Sequence, residues 1–80
     1  MKKVKKTVIK ITWRDCTSQH GWYSQQEAIE IHLESIQTIG WLVEENEDVV
    51  IIGVSLAEDG KIGNITIIPR GCILKMVKVQ

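Results

Sequence analysis

Phenylalanine is absent from this chain of 80 residues, and proline occurs only once. Without phenylalanine the interior must be filled mainly by aliphatic side chains. Thirteen isoleucines and eight valines are there to fill it. Such β-branched residues suit a pleated sheet and lose rotamer freedom in helices, so an aliphatic β core is expected. Cysteine is scarce as well. Cys16 and Cys72 are too few for a disulfide framework, and no C-x-x-C or H-x-x-x-H spacing marks a zinc site. A metal held by Cys16, His20 and Cys72 would lack a fourth ligand. In a cytosolic protein both thiols are expected to be reduced. No long apolar run follows the basic start of the chain, because Lys10 and Thr12 interrupt it. This argues against a secretory or membrane-spanning segment and makes the cytoplasm the expected address.

Charge of one sign is also missing from long stretches. All ten acidic residues lie between Asp15 and Asp59, and all ten basic residues lie outside that stretch. The formal net charge of +0 therefore hides a basic–acidic–basic pattern. If the chain ends are neighbours in the fold, the molecule has two electrical faces. Such a molecule attracts an anionic ligand, or the acidic surface of another copy; alternatively, the blocks merely neutralise each other. Eighty residues make a single domain, 1–80, with 1–6 as a flexible basic N-terminus. So small a core favours a homo-oligomer.

Residues 7–13 alternate, with Ile9, Ile11 and Trp13 on one face, and read as a first strand. Arg14 to Gly21 is polar and reads as a loop. Ser24-Gln25-Gln26-Glu27 matches a capping box, which predicts a short helix from about Gln25 to Ile31 running into an extended segment. Ile36–Glu45 reads as a second strand with Ile39, Trp41 and Val43 on one face. Gly40 inside it signals a bulge, a bend or a close backbone approach. Asn46 and its acidic neighbours form a turn before a third strand, Val49–Leu56. Asp59-Gly60 marks another turn. Ile65–Ile68 is a fourth strand, ended by Pro69, and Ile73–Val79 a fifth. The expected fold is mainly β: a small five-stranded antiparallel barrel with one short helix, closed to protect its edges.

Trp13-Arg14-Asp15, Gly21-Trp22, Thr38-Ile39-Gly40-Trp41-Leu42-Val43, Ser55-Leu56 and Ile68-Pro69-Arg70-Gly71-Cys72-Ile73 together resemble a family of small bacteriophage and prophage proteins. Pro69-Arg70-Gly71-Cys72-Ile73 also resembles the turn before the last strand of Sm-like barrels. The Asp and Asn pattern with which Sm proteins hold RNA is missing. The resemblance implies a phage accessory protein on an SH3-like or Sm-like barrel, in the cytoplasm of an infected bacterial host. It implies no reaction.

In such a barrel the first and last strands pair antiparallel. Trp13, Arg14 and Cys16 would then sit near Arg70, Gly71 and Cys72. Arg14 and Arg70 are the only arginines, and Arg binds phosphate bidentately. His20, Trp22 and Tyr23 hang from the same end. Trp13, Arg14, Asp15, His20, Trp22, Tyr23 and Arg70 thus make a candidate site for a small anionic ligand such as a nucleotide, with phosphate on Arg and base on Trp. The plainer readings are core packing for Trp13 and Trp41, solvation for His20, and turn capping for Asp15. Trp22 suits a ligand, an interface or a lid equally. No nucleophile–base pair, phosphate loop or paired carboxylates appear, so neither an enzyme nor a cofactor is expected. The function expected first is sequestration of a nucleotide immune signal without catalysis. The alternative is a protein–protein interaction module that inhibits or adapts a host or phage protein. Nucleic-acid binding through Lys2, Lys3, Lys5 and Lys6 is disfavoured by the acidic middle.

Overall fold

The computed structural model describes residues 7–16 and 18–79; the expected flexible segment 1–6 lies outside them. Five strands form one antiparallel sheet: β1 Val8–Arg14, β2 Ser35–Glu45, β3 Val49–Leu56, β4 Ile62–Pro69 and β5 Ile73–Lys78. Their order in the sheet is β4-β3-β2-β1-β5. One short helix, α1 (Gln25–Ile29), lies between β1 and β2. Mainly β architecture with one helix is as the composition implies. The sheet is not closed into the expected barrel, however: the pairings end with β4 and β5 as its two edges. Strand periodicity specifies a face for each strand, but it carries no information about whether the last edge meets the first.

Burial is one-sided. Ile9 and Ile11 of β1, Val50 and Ile52 of β3 and Ile68 of β4 form the buried core. Trp13, Leu42, Cys72, Ile73 and Met76 pack against it. Cross-strand partners lie on the same face of a sheet. The register pairs Ile11 with Met76, Trp13 with Ile73, Leu42 with Ile52, and Val50 with Ile68, so these side chains share the inner face. Among the described residues no second layer covers it. The sheet must therefore bend around its own inner side chains, and two bulges allow this: one between Thr12 and Trp13 against β5, the other between Leu42 and Glu44 against β3. A three-residue 3-10 turn, Arg70–Cys72, then suffices to carry the chain from one edge strand to the other.

β2 shows why periodicity alone misjudges a sheet whose two faces are both apolar. Ile39 and Trp41 alternate as expected, but they pair with Lys10 and Val8 on the outer face. Ile39 is 53% exposed. Gly40 is the residue that faces inward, opposite Ile9. It marks a close approach: a Cβ there would stand 2.7 Å from the Gly53 carbonyl oxygen. β4 begins three residues earlier than its apolar run suggests, because Ile62 and Gly63 pair with Leu56 and Ser55, while Asn64 between Gly63 and Ile65 takes φ of 56°.

The two hairpin turns are held as their residues imply. Asn46 Oδ1 accepts from the Asp48 and Val49 amides at 2.8 and 2.9 Å. Asp59 Oδ1 accepts from the Lys61 amide at 3.0 Å, and Gly60 takes φ of 90°.

The Gly40 contact is with backbone, which cannot swing aside. Gly40→Ala is therefore expected to destabilise the fold by about 1–3 kcal/mol. Gly71 faces open space at an ordinary φ, so Gly71→Ala should stay within about 0.5 kcal/mol of the parent. Urea unfolding of the two variants checks this; equal midpoints would refute the close approach as a constraint.

Candidate functional site

Arg14, the last residue of β1, pairs with Ser35, the first of β2. The twenty residues between them leave and re-enter the sheet at neighbouring positions, so they form an arm. Every described residue from Arg14 to Ser35 is exposed. The molecule accordingly measures 53 × 21 × 20 Å.

With no core of its own, the arm is ordered by local hydrogen bonds. Gly21 takes φ of 117°, a conformation that side chains rarely adopt, and the Tyr23 ring lies over it. The Tyr23 hydroxyl donates to the His20 carbonyl oxygen at 3.1 Å. Ser24 and Glu27 form the expected capping box. The Glu27 amide donates to Ser24 Oγ at 3.1 Å, and the Ser24 amide donates to Glu27 Oε1 at 3.0 Å. The helix stops at Ile29, with Glu30 as its C-cap, two residues short of the expected end. Residues 31–34 then run without regular structure to β2. Trp22 is fully exposed, at 102% of the reference area, and Ile29 is 65% exposed.

The candidate residues divide into three groups. Trp13 belongs to the sheet: it packs against the core, and its indole Nε1 donates to Thr38 Oγ1 at 3.0 Å. Arg14, Asp15, His20, Trp22 and Tyr23 belong to the arm. Arg70 is engaged elsewhere. Its Nε donates to the Asn46 carbonyl oxygen at 2.9 Å, its guanidinium stands 3.6 Å from the Glu45 carboxylate, and its amide donates to the Asp48 carbonyl oxygen at 2.8 Å. Arg14 is thus joined to the start of β2 and Arg70 to its end.

A cavity of about 230 Å³ opens at the foot of the arm, lined by Asp15, Cys16, Gln19, His32, Glu34 and Ile36. Two of these are carboxylates and neither arginine is among them, so the lining favours a cationic or neutral occupant over an anion. His32, Gln19 and Glu34 were not signalled by any motif; only the return of the arm to β2 beside Arg14 brings them to Asp15. Cys72 lies beside this foot. Partial desolvation raises its thiol above the ordinary value, and the adjoining Cys16 side chain and the Asp15 carboxylate raise it further. Among the described residues no cluster of His, Cys, Asp or Glu suits a metal ion. Among them also, no helix is long and apolar enough to cross a membrane.

No family model, curated protein or solved structure matches the chain.

The capping box has a pH signature. Hydrogen bonds from the Ser24 backbone, and then from its side chain, hold the Glu27 carboxyl below its ordinary value. A depressed carboxyl stabilises above its unfolded pKa, and that contribution is lost as pH falls through the folded pKa. The amide resonances of Ser24 and Glu27 should therefore shift together as pH drops below the ordinary carboxylate range. Glu27→Gln should abolish the Ser24 response, and a Ser24 amide indifferent to pH in the parent would refute the box.

Proposed function

We propose that the protein is a non-catalytic protein–protein interaction module whose contact element is the arm. One observation carries this reading: the arm exposes Trp22, Tyr23, Ile29, Ile31 and Leu33 while burying none of its described residues. Large apolar side chains held out on a locally ordered segment gain most by docking. The arm also carries Glu27, Glu30 and Glu34, and no basic residue occurs between Arg14 and Lys61. The surface it fits is apolar and rimmed by lysine or arginine.

A second copy of this chain offers such a surface. On the outer face of β1, Lys10 pairs with Ile39 and Val77, and Thr12 with Gln37 and Lys75. Ile39, Val77 and Lys75 are exposed there. An acidic, apolar arm laid on this basic, apolar strip covers both, so the first partner is a second copy and the working form is a homo-oligomer. In this reading the curled sheet follows the SH3-like or Sm-like plan, which the strand order and the short turn between β4 and β5 support. The role of phage accessory protein rests on the sequence resemblance.

Light scattering on the full chain tests the assembly. The mass is expected to be a multiple of 9.1 kDa at low salt, and association should weaken as salt rises from about 0.05 to 0.5 M. Trp22→Ala should weaken it without loss of fold, since Trp22 touches no core. A 9.1 kDa particle at every concentration would overturn the reading. So would assembly indifferent to Trp22→Ala.

Sequestration of a small anionic ligand is the second reading. Arg14 favours it, being exposed and without an ion pair among the described residues, on the same arm as Trp22. A nucleotide bound this way should raise the melting temperature by mass action, and Arg14→Ala should lose about 1.5–3 kcal/mol of binding. Nucleotide that leaves the melting temperature unchanged at millimolar concentration would eliminate it.

A further inference from the structure

Cys16 and Cys72 are the only cysteines of the chain, and both are free. They come from opposite ends of the sequence. Trp13 pairs with Ile73; Cys72 directly precedes Ile73, and Cys16 follows Trp13 by three residues, just past the end of β1, so both lie at the same end of the β1–β5 pair. The 3-10 turn holds Cys72 against the core, half-buried, next to the Cys16 side chain. Cys16 itself is exposed at the foot of the arm, in the wall of the cavity. One thiol is thus open to a soluble reagent, and the other waits behind it. That is the arrangement of an attacking and a resolving cysteine.

We propose that Cys16 and Cys72 form a reversible dithiol–disulfide site, oxidised by low-molecular-weight disulfides such as glutathione disulfide. The Cys16 thiolate attacks one sulfur of glutathione disulfide. The S–S bond breaks, one glutathione leaves and takes up a proton, and a mixed disulfide remains on Cys16. Cys72 then gives its proton to solvent and attacks Cys16 Sγ, expelling the second glutathione. Two protein thiols become one disulfide, and one glutathione disulfide becomes two glutathiones. Because the Cys72 thiol is held above its ordinary value, it resolves the mixed disulfide rather than making the first attack. The bond ties the root of the arm to the turn between β4 and β5. It also moves one wall of the cavity. The site does not depend on what the arm binds.

The test is intact mass spectrometry of the folded full chain after incubation with glutathione disulfide and acid quenching. The parent is expected to lose about 2 Da and to retain no glutathione. Peptide mapping should join the Cys16 and Cys72 fragments, and dithiothreitol should restore the starting mass. Cys72→Ser should stop at the adduct, about 305 Da heavier, because the second step has no nucleophile. Cys16→Ser should react much more slowly than Cys72→Ser. Since Cys72 touches the core, its variant needs a companion measurement. The parent's internal bond should close about tenfold faster, or more, in buffer than in denaturing urea, because the fold supplies the proximity. A parent that stops at the glutathione adduct would overturn the proposal. Cross-links between chains instead of within one, or equal rates folded and unfolded, would also overturn it.

Discussion

Ile11, Ile52 and Ile68 meet without any exposure to water, and they come from three strands of a sheet that has only one layer. Burying apolar area needs something on both sides of it. Among the described residues nothing lies opposite the inner face except the same sheet, so the sheet has to bend over itself. The two bulges, the absence of a side chain at Gly40 and the short step from β4 to β5 all serve that bend. The same bend sets Cys72 beside Cys16 and holds Trp13 over the core.

A core of five buried side chains is small, and the distribution of the remaining apolar surface follows from that. Ile65 and Ile67 on the edge strand, Ile39 and Val77 on the outer face, and the apolar residues of the arm are left in water. A monomer gains nothing from them. On the proposed reading, docking between copies would recover part of that area, and the charge blocks would decide which parts can meet. The β1–β5 side carries Lys10, Lys75 and Lys78, while the arm and the β2–β3 and β3–β4 turns carry the acids. Acid against base favours arm on strip over arm on arm.

Much of the local structure was legible because local chemistry determines it. The capping box needs only Ser24 and Glu27 at the right spacing, and the turns at Asn46 and Asp59-Gly60 need only their own side chains. β1 and β3 alternate or run apolar over their whole length. What was not legible depends on relations between distant residues. The fourth strand was expected only from Ile65, but Ile62 and Gly63 already pair with Leu56 and Ser55 of β3. Ile39 and Trp41 have the period of a core face, yet the inner position goes to Gly40, because only a residue without a side chain passes the Gly53 carbonyl. The partners of Arg70 are also distant in sequence. Its backbone does lead into β5, but its guanidinium turns to the carbonyl and carboxylate of the β2–β3 turn that the bend brings within reach.

The engagement of Arg70 bears on function as well as on fold. The Arg70 guanidinium already has a carbonyl at 2.9 Å and a carboxylate at 3.6 Å, so a phosphate there would compete with both. The ion pair is exposed and worth about 0–1 kcal/mol, but the Glu45 carboxylate beside the guanidinium would also repel a phosphate. Arg14 has no such commitment among the described residues, but its neighbours at the foot of the arm are Asp15 and Glu34. Their field opposes an anion there. The apolar side chains above that foot face no comparable opposition: docking them removes water from Trp22 and its neighbours while breaking no bond that the structure records for the Trp22 side chain. On the proposed reading the working surface would therefore be the arm's apolar residues, and Arg70 would have a structural task, holding the chain at the point where β4 turns into β5.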